Sequence, residues 1–410
     1  MEVSGSLGVY ISLFLALYFE VFLLIAFLEK RPEKRSMTLP KHYPAVCIIV
    51  PCFNEVQTIG KTLESLLGLQ YPKGQLSIMV VDDGSQDGTG AIAKSFAAQY
   101  EEIRYFYKEN GGKYTALNFG IERTSAEFVG CLDADSFVAP EGLNEMIKKF
   151  ESDPTIYALT PAMKVSAPRN ILELMQTAEY TFGIFCKKMF DNLSAIQVLP
   201  GPFSIYRRVV FEKIGLFRRA HNTEDMEIAF RMHSHKLKIA NAHTVYVYTT
   251  VPASLGPLIR QRTRWVQGFL QNSLDYRYMY FNPRFGNFGN FVLPLGLTAS
   301  LLGIYTASYS LYRLFSFISS HLFNLQAGIP LHLSQPTLSW FYLNTSMMTF
   351  LVVITLGMTF TALLLGQRIA QNKLPIQSIL YYFTLFGLIA PIWLARAVWG
   401  TVWARESTWR

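Results

Sequence analysis

Two pairs of acidic residues stand directly after short apolar runs of the sequence. Asp82 and Asp83 follow LSIMVV, and Asp133 and Asp135 follow FVGCL. Such runs are typical of buried strands, and acids at the end of a strand can hydrogen-bond ribose hydroxyls or a base N–H. A turn after the second run would let Asp133 and Asp135 approach one hard cation, whose coordination substrate phosphates and water would complete. The pattern indicates a nucleoside-diphosphate site, with a capped turn as the alternative for Asp82 and Asp83.

Two later segments carry groups for a transfer reaction. The tripeptide TED at 223–225 precedes an amphipathic run. A carboxylate held there near a sugar hydroxyl would serve as a general base, although the same acids also suit a helix N-cap and first turn. In QRTRW at 261–265, two arginines can neutralise a departing diphosphate, and Trp265 offers an apolar face to a sugar ring. A basic amphipathic helix on a membrane surface is a compatible interpretation of this segment.

These motifs belong to a region, residues 45–270, whose composition is that of a soluble α/β domain. Strand-like runs alternate with helical stretches, which indicates a parallel sheet covered on both faces. Ligands of such sheets bind beyond the carboxyl ends of the strands, where the acidic motifs stand. The absence of G-x-G-x-x-G and of a P-loop argues against a dinucleotide fold and a P-loop NTPase. The predicted strands are 45–51, 76–81, 103–107 and 127–132, and the predicted helices are 58–67 and 91–100.

The rest of the chain has the composition of a membrane protein. Of the 410 residues, 50% are hydrophobic and 16% are charged, whereas about a quarter of a soluble chain is charged. This excludes disorder, a coiled coil and a purely soluble protein as first interpretations. About 20 apolar residues suffice to span a bilayer. Stretches of that kind lie at 7–28, 291–311, 342–365 and 374–394.

The distribution of basic residues predicts the orientation of these spans. Basic residues at 30–41 follow the first span, so the positive-inside rule places the central region in the cytoplasm and both termini outside. Arginines after the last span, beginning with Arg396, disagree with an outside C-terminus. Much of the net charge of +8 stands beside spans, which explains it without a nucleic-acid partner. Glu20, within the first span, either has a functional role or faces a neighbouring helix.

The order of the motifs resembles the processive members of glycosyltransferase family 2, which include the cellulose, chitin, hyaluronan and poly-N-acetylglucosamine synthases. Among these, the chain is most similar to the bacterial poly-N-acetylglucosamine synthases. The residues that carry this resemblance are VPCFNE, ENGGKYTALN, CLDADS, MQTAEY, NTEDMEIAF and QRTRWVQG. The gating-loop signature of cellulose synthases is absent after QRTRW, one span instead of two precedes the domain, and Gly201-Pro202-Phe203 replaces the commoner F-C-G-S loop.

The resemblance implies a GT-A fold with a mixed, mostly parallel sheet, and inverting transfer from a UDP-sugar, UDP-GlcNAc above all. It implies that Glu55, Asp82 and Asp83 hold uridine and that Lys113 and Arg264 lie near the diphosphate. Asp133 and Asp135 would hold Mg²⁺ or Mn²⁺, with Asp133 also on the nucleotide side. Asp225 would be the general base with Glu224 beside it, and Gln261, Arg262 and Trp265 would contact the growing polysaccharide.

The predicted organisation follows from the spans and the resemblance. The product would pass across the plasma membrane, and four spans are few for a channel built by one chain, so a small membrane subunit or a homo-oligomer is expected. The alternatives are a transferase that adds one sugar to a membrane lipid and, in another class, a non-catalytic transport or scaffold protein. The predicted units are an anchor at 1–29, a cytoplasmic GT-A domain at 30–254, interfacial helices at 255–290, and a membrane region of about three helices at 291–410.

Overall fold

The centre of the molecule is a mixed sheet of eight strands. The computed structural model describes residues 2–29, 39–327 and 346–403. Within these residues the strands are β1 (Val46–Cys52), β2 (Leu76–Asp82), β3 (Ile103–Tyr107), β4 (Phe128–Cys131), β5 (Ser136–Val138), β6 (Ile156–Val165), β7 (Ser204–Arg207) and β8 (Lys238–Thr249). They are arranged in the order β3-β2-β1-β4-β7-β6-β8-β5. The first four in this order are parallel, β7 is antiparallel to both of its neighbours, and β6 and β8 are parallel.

Helices cover the sheet and form a separate bundle. They are α1 (Glu2–Glu29), α2 (Ile59–Leu67), α3 (Thr89–Gln99), α4 (Lys113–Glu122), α5 (Gly142–Ser152), α6 (Ile171–Asn192), α7 (Val209–Ile214), α8 (Glu224–Ser234), α9 (Leu255–Asp275), α10 (Leu293–Gln326), α11 (Met347–Ala370), α12 (Ile376–Tyr381) and α13 (Gly387–Val402). A π-helical turn precedes α10 and another joins α12 to α13.

Burial on both faces explains the apolar strand sequences. All seven residues of β1 are buried. Side chains from α2 and α5 pack on one face of the sheet, and side chains from α4, α7 and α8 pack on the other. A strand enclosed in this way reads as a continuous apolar run. The predicted strands in β1 to β4 are confirmed to within two residues, whereas β5 to β8 were not predicted.

The parallel half of the sheet brings the acidic motifs to one edge. Cys52 at the end of β1 pairs with Asp82 at the end of β2, and Ile49 pairs with Cys131 at the end of β4. The segments that leave these strands therefore leave at the same edge of the sheet. This edge is where ligands of such sheets bind.

Four of the helical segments that the structure describes are long and apolar enough to cross a membrane. They are Leu7–Glu29, Phe288–Gln326, Met347–Ala370 and Ile376–Val402. The second extends 15 residues beyond the predicted span 291–311, and the fourth extends beyond the predicted end at 394. Residues 342–345 of the third predicted span, the basic residues at 30–35, and Arg405 and Arg410 lie outside the described residues.

The bundle is joined to the sheet through α6 and through the end of α11. Leu23 of α1, Phe185 of α6 and Ala362 of α11 belong to one apolar cluster. Lys164 of β6 donates a hydrogen bond of 2.7 Å to the carbonyl oxygen of Ala370, the last residue of α11. A cation at the C-terminal end of a helix is stabilised by the helix dipole. Sheet and bundle are thus in direct polar contact at this point.

Candidate active site

A single large cavity joins the edge of the sheet to α6 and α9. Its volume is about 1420 Å³. All but two of the predicted site residues line it, although they lie up to 210 positions apart in the chain. Those that line it are Glu55, Asp83, Lys113, Asp133, Asp135, Glu224, Asp225, Gln261, Arg264 and Trp265.

Asp83 and Glu55 lie at the end of the cavity formed by β1 and β2. The Asp83 carboxylate accepts hydrogen bonds from the backbone N–H groups of Gly111 and Gly112, at 3.1 and 2.9 Å. It also forms an ion pair with Lys108. One oxygen of Glu55 accepts a hydrogen bond of 3.0 Å from the hydroxyl of Thr58. Both carboxylates are therefore held in fixed positions before any ligand binds.

Asp82 is the first of the two residues that the structure places elsewhere. Its side chain is buried and does not line the cavity. One of its oxygens accepts a hydrogen bond from the Tyr105 hydroxyl at 2.9 Å, and the other accepts one from the Ser85 N–H at 2.8 Å. Successive side chains of an extended segment point to opposite faces, so the neighbouring acids Asp82 and Asp83 cannot both face the ligand. Asp82 closes the turn after β2, which was the alternative interpretation.

Lys113 occupies the middle of the cavity, at the beginning of α4. It forms an ion pair with Asp133, and its Nζ lies 3.7 Å from Oε1 of Glu224. The charges of Asp133, Glu224 and Asp225 raise the pKa of Lys113, although its burial acts in the opposite direction. The lysine is consequently a fixed positive charge between the acids after β4 and those of α8.

Gly201 permits this arrangement through its lack of a side chain. A Cβ atom at this position would lie within 2.6 Å of both carboxylate oxygens of Asp133 and 2.3 Å from Nζ of Lys113. Contacts this short do not occur, so a side chain at this position would force the ends of the Asp133 and Lys113 side chains to move apart from the backbone. Gly201 and Pro202 of this loop form part of the cavity wall, whereas Phe203 is buried in the core.

Asp135 is a buried carboxylate close to other carboxylates. Burial, followed by the charges of Asp133 and Glu55, raises the pKa of Asp135 to about 7, while a hydrogen bond from Ser136 lowers it. Repulsion of this kind is relieved when a cation binds between the acids. Among the described residues, no group of three or more Asp, Glu, His or Cys side chains could hold a metal ion unaided. The donor set therefore suits a hard cation that shares its coordination with a substrate phosphate and water.

Asp225 lies in the first turn of α8. Burial raises the pKa of Asp225 to about 6; the adjacent Glu224 acts in the same direction, and Lys113 and Arg264 act against it. At neutral pH it is a carboxylate whose basicity exceeds that of an ordinary aspartate, which suits a general base. Glu224 and Asp225 also stand in the first turn of α8, as the alternative interpretation predicted, although the Thr223 side chain makes no capping hydrogen bond. The role of Asp225 as general base stays a prediction.

The turn before TED is strained and is held by α9. Ala220, His221 and Asn222 have φ values of 39°, 56° and 60°, a left-handed conformation that costs energy in residues other than glycine. The carbonyl oxygen of Asn222 accepts a hydrogen bond of 2.9 Å from Nη1 of Arg264, and His221 contacts Asp275 at 2.9 Å. Arg264 therefore positions the turn that precedes the acids, in addition to facing the cavity.

Arg262 is the second residue that the structure places elsewhere. The sequence analysis assigned it to the acceptor, but its side chain is buried behind the cavity wall. Its Nη2 lies 2.8 Å from Oε2 of Glu179, its Nη1 donates to Oε1 of Gln261 at 2.8 Å, and its guanidinium lies 4.2 Å from the centre of the Trp265 ring. Residues two apart on a helix do not share a face, so Arg262 supports Gln261 and Trp265 from behind while Arg264 faces the cavity.

Comparison with known proteins finds a family for the part of the chain that carries the acids after β2 and β4. Residues 47–215 match the family described as Glycosyl transferase family 2. This part of the chain is therefore similar in sequence to family 2 glycosyltransferases. Its sheet and helices form a GT-A fold, and the predicted fold class is confirmed. Of solved structures, a mannosyltransferase from Pyrobaculum calidifontis in complex with GDP-Man and Mn²⁺ is similar over 99% of each chain, with a TM-score of 0.66 and 19% identity.

Two curated relatives are similar in sequence to more than half of the chain. The poly-beta-1,6-N-acetyl-D-glucosamine synthase of Staphylococcus epidermidis is 31% identical over 246 residues, which are 59% of this chain and 59% of the relative. The enzyme of the same name from Staphylococcus aureus is 31% identical over 242 residues, which are 59% of this chain and 57% of the relative. The match thus spans less than two thirds of the length of these relatives.

The sequence analysis missed several residues that the glycosyltransferase domain presents to the cavity. Glu179, Tyr180, Gly183 and Lys187 line it along one face of α6. Gly183 and Lys187 follow Tyr180 at successive spacings of three and four residues, and Glu179 adjoins it, so the four lie on or beside one face of the helix. The signal in the sequence was the MQTAEY motif, which contains Glu179 and Tyr180, with Lys187 following at helical spacing.

Proposed function

We propose that the protein is a membrane-bound, inverting, processive glycosyltransferase that polymerises UDP-GlcNAc into poly-N-acetylglucosamine. The observation that carries the proposal is the single cavity in which the acids after β2 and β4, the TED acids and one face of QRTRW meet. The proposed sites for the donor nucleotide, the general base and the acceptor sugar therefore lie in one cavity. The relatives named as poly-N-acetylglucosamine synthases support GlcNAc as the sugar.

Different residues of the cavity have different roles in the proposed reaction. Asp225 accepts the proton of the acceptor hydroxyl, and the hydroxyl oxygen attacks the anomeric carbon from the face opposite UDP, so the configuration inverts. General-base assistance of this kind contributes about 10²–10⁴-fold. Lys113 and Arg264, both on the cavity, lie where they stabilise the negative charge that develops on the departing diphosphate.

Asp133 and Asp135 are the residues that would hold a divalent cation, Mg²⁺ or Mn²⁺. Their shared cavity and the raised pKa of Asp135 support this assignment. When bound, the cation would neutralise charge on the diphosphate of the donor.

The proposed location is the plasma membrane, with several spans and the catalytic domain in the cytoplasm, where UDP-sugars are made. Polar contacts place the sheet at one end of the bundle, against the C-terminal end of α11. Arg368 lies in the last turn of α11, at the end that contacts the sheet, in keeping with the positive-inside rule. The cavity continues from the sheet to Phe269 of α9 and Ser300 of α10. A product chain could leave along this route, toward and across the membrane.

Transfer of one sugar to a membrane lipid is the second candidate, and the same continuation of the cavity to α10 favours it. A lipid acceptor would enter beside Ser300 and present its polar end to Asp225. The two candidates differ in the size and solubility of the product. A non-catalytic transport or scaffold role would yield no product at all.

The decisive experiment is incorporation of radiolabelled sugar by membranes that contain the full chain. UDP-GlcNAc, UDP-Glc and UDP-GlcA would be supplied separately, with Mg²⁺ or Mn²⁺, and the products sized and extracted with organic solvent. We expect high-mass, water-soluble product from UDP-GlcNAc alone. Label only in a small, organic-soluble product would establish the lipid transferase instead.

Asp225→Asn is the test variant and Glu101→Gln, an exposed acid outside the cavity, is its matched control. We expect the first to lower polymer synthesis by about 10²-fold or more while UDP still binds. The second should equal the wild type. Full activity of Asp225→Asn would contradict the proposed mechanism.

The proposed export partner is a small membrane subunit or a second copy of the chain. The four candidate spans among the described residues are few helices for one chain to enclose a channel. Reconstitution of the purified chain in liposomes, at a protein-to-lipid ratio that isolates single copies, tests this. Polymer inside such liposomes would show that one chain suffices.

A further inference from the structure

Lys187 is a second lysine on the wall of the cavity, and its surroundings differ from those of Lys113. It projects from α6, and its Nζ lies 3.2 Å from the hydroxyl oxygen of Thr160 on β6. Lys113 is engaged by two carboxylates. Within the part of the chain that the structure describes, no carboxylate lies in ion-pair distance of Lys187, so a hydroxyl is its nearest polar contact.

This environment leaves the ammonium group short of a partner. Burial lowers the pKa of Lys187 to about 8, and the charge of Asp225 only partly opposes this effect. The group is still mainly protonated at neutral pH. A partly buried ammonium with spare donors gains free energy when a ligand offers it an oxygen atom.

The position of Lys187 assigns it to the acceptor side of the cavity. Thr160 and the adjacent cavity residue Asn241 belong to β6 and β8. In the sheet these strands are separated by β7, β4 and β1 from β2, after which Asp83 stands. The donor nucleotide is proposed to lie beside Asp83, so Lys187 lies in a different part of the cavity from the nucleotide, within the electrostatic influence of Asp225.

We propose that Lys187 is an acceptor-binding residue, whose ammonium donates a hydrogen bond to an oxygen of the terminal acceptor sugar and so holds the attacking hydroxyl at Asp225. The Thr160 hydroxyl orients the ammonium from behind. This inference rests on the proposed function, because it requires a sugar acceptor in the cavity. It adds to QRTRW a second contact, on the opposite helix α6.

The test separates transfer to sugar from transfer to water. The full-length protein in detergent would receive UDP-GlcNAc and a short β-linked GlcNAc oligosaccharide, and UDP release and oligosaccharide extension would be measured. In Lys187→Met we expect the KM for the oligosaccharide to rise about ten- to a hundredfold, the loss of one charge-assisted hydrogen bond. The KM for UDP-GlcNAc and its hydrolysis by water should stay within about twofold, since small changes in contacts away from the donor leave its binding intact.

Three further measurements guard against a merely structural effect. Lys187→Arg should restore part of the acceptor affinity, and Thr160→Val should weaken it to a smaller extent than Lys187→Met. Lys61→Met, an exposed lysine on α2, should equal the wild type. In the wild type alone, the KM for the oligosaccharide should rise as the pH increases above about 8, because Lys187 then loses its proton.

The outcomes distinguish this inference from the proposed function. A wild type that transfers no sugar from any UDP-sugar overturns both. If the wild type extends the oligosaccharide, equal losses of hydrolysis and extension in Lys187→Met, or no loss at all, overturn the role of Lys187 and leave the proposed function standing.

Discussion

Nζ of Lys113 lies 3.7 Å from Oε1 of Glu224, the first residue of α8. The same ammonium forms an ion pair with Asp133, which follows β4. One positive charge thus connects the acids of the donor side with the acids of the base side. Any change in that charge must affect both sides of the cavity.

The first prediction concerns the pH dependence of transfer. Asp225 must be deprotonated to act as a base, and burial raises its pKa to about 6. Activity should therefore increase with pH and level off above about 6, a higher limit than an ordinary aspartate would set. Lys113 favours the charged form of Asp225, so Lys113→Met should lower the rate and move this limit to higher pH. Rates of polymer synthesis between pH 5 and 8, with Lys61→Met as the control, would test this prediction. If the pH at which activity levels off is the same in Lys113→Met and the wild type, Lys113 does not control the protonation of Asp225.

A second prediction concerns Gly201. Gly201→Ala introduces a methyl group 2.3 Å from Nζ of Lys113, and relief of such overpacking costs about 1–3 kcal/mol. Because the displaced groups are Lys113 and Asp133, we expect a loss of donor binding together with a modest loss of stability. Gly357→Ala, where the added methyl meets no atom within 4 Å, is the matched control. UDP binding by calorimetry and the thermal midpoint would be compared, and wild-type affinity in Gly201→Ala would contradict the structure of this wall.

The third prediction concerns the pair formed by Arg262 and Glu179. Arg262→Met leaves the Glu179 carboxylate, whose side chain is 21% exposed, without its partner. We expect a loss of about 2–4 kcal/mol in stability, since breaking a buried pair leaves one charge uncompensated. The double variant Arg262→Met/Glu179→Met should regain part of this loss. Unfolding in denaturant would measure it, and a double variant less stable than the single one would refute the interpretation.

A fourth prediction concerns Glu20, whose carboxylate accepts a hydrogen bond from the Thr359 hydroxyl. This contact joins α1 to α11, so Glu20 faces a neighbouring helix. Polar pairs between membrane helices contribute about 0.6 kcal/mol on average. A double-mutant cycle with Glu20→Gln and Thr359→Val should give a coupling energy of that order, read from unfolding in detergent. Transfer activity should persist in both variants, and its abolition would point to a functional role for the acid.

The sequence predicted the parallel half of the sheet, β1 to β4. β1 is apolar throughout and β2 is apolar from Ile78 to Val81, because helices cover both faces there, and the polar motifs follow at once. β7 has four residues and β5 has three, too few to show any periodicity. β6 and β8 contain Lys164 and His243, which interrupt an apolar pattern although each lies in the sheet.

The candidate site was predictable as a set of motifs and not as a set of orientations. Asp82 and Asp83 are adjacent and identical in type, yet only the register of β2 decides which faces the cavity. Arg262 and Arg264 lie two residues apart on α9, so they point to different sides of the helix and only Arg264 faces the cavity. Lys187 could not be identified from the sequence, because its proposed role depends on which of the described side chains surround it in the folded protein.

The hydrogen bond from Lys164 to Ala370 has a mechanical consequence. It fastens the end of α11 to β6, and Tyr246 of β8 reinforces the joint, since its ring lies 3.5 Å from the same ammonium. Pro161 and Met163 of β6 line the cavity. A bilayer of different thickness changes the tilt of the helices that cross it. Because α11 is fixed to β6, such a change in tilt would move the part of the cavity wall that β6 forms.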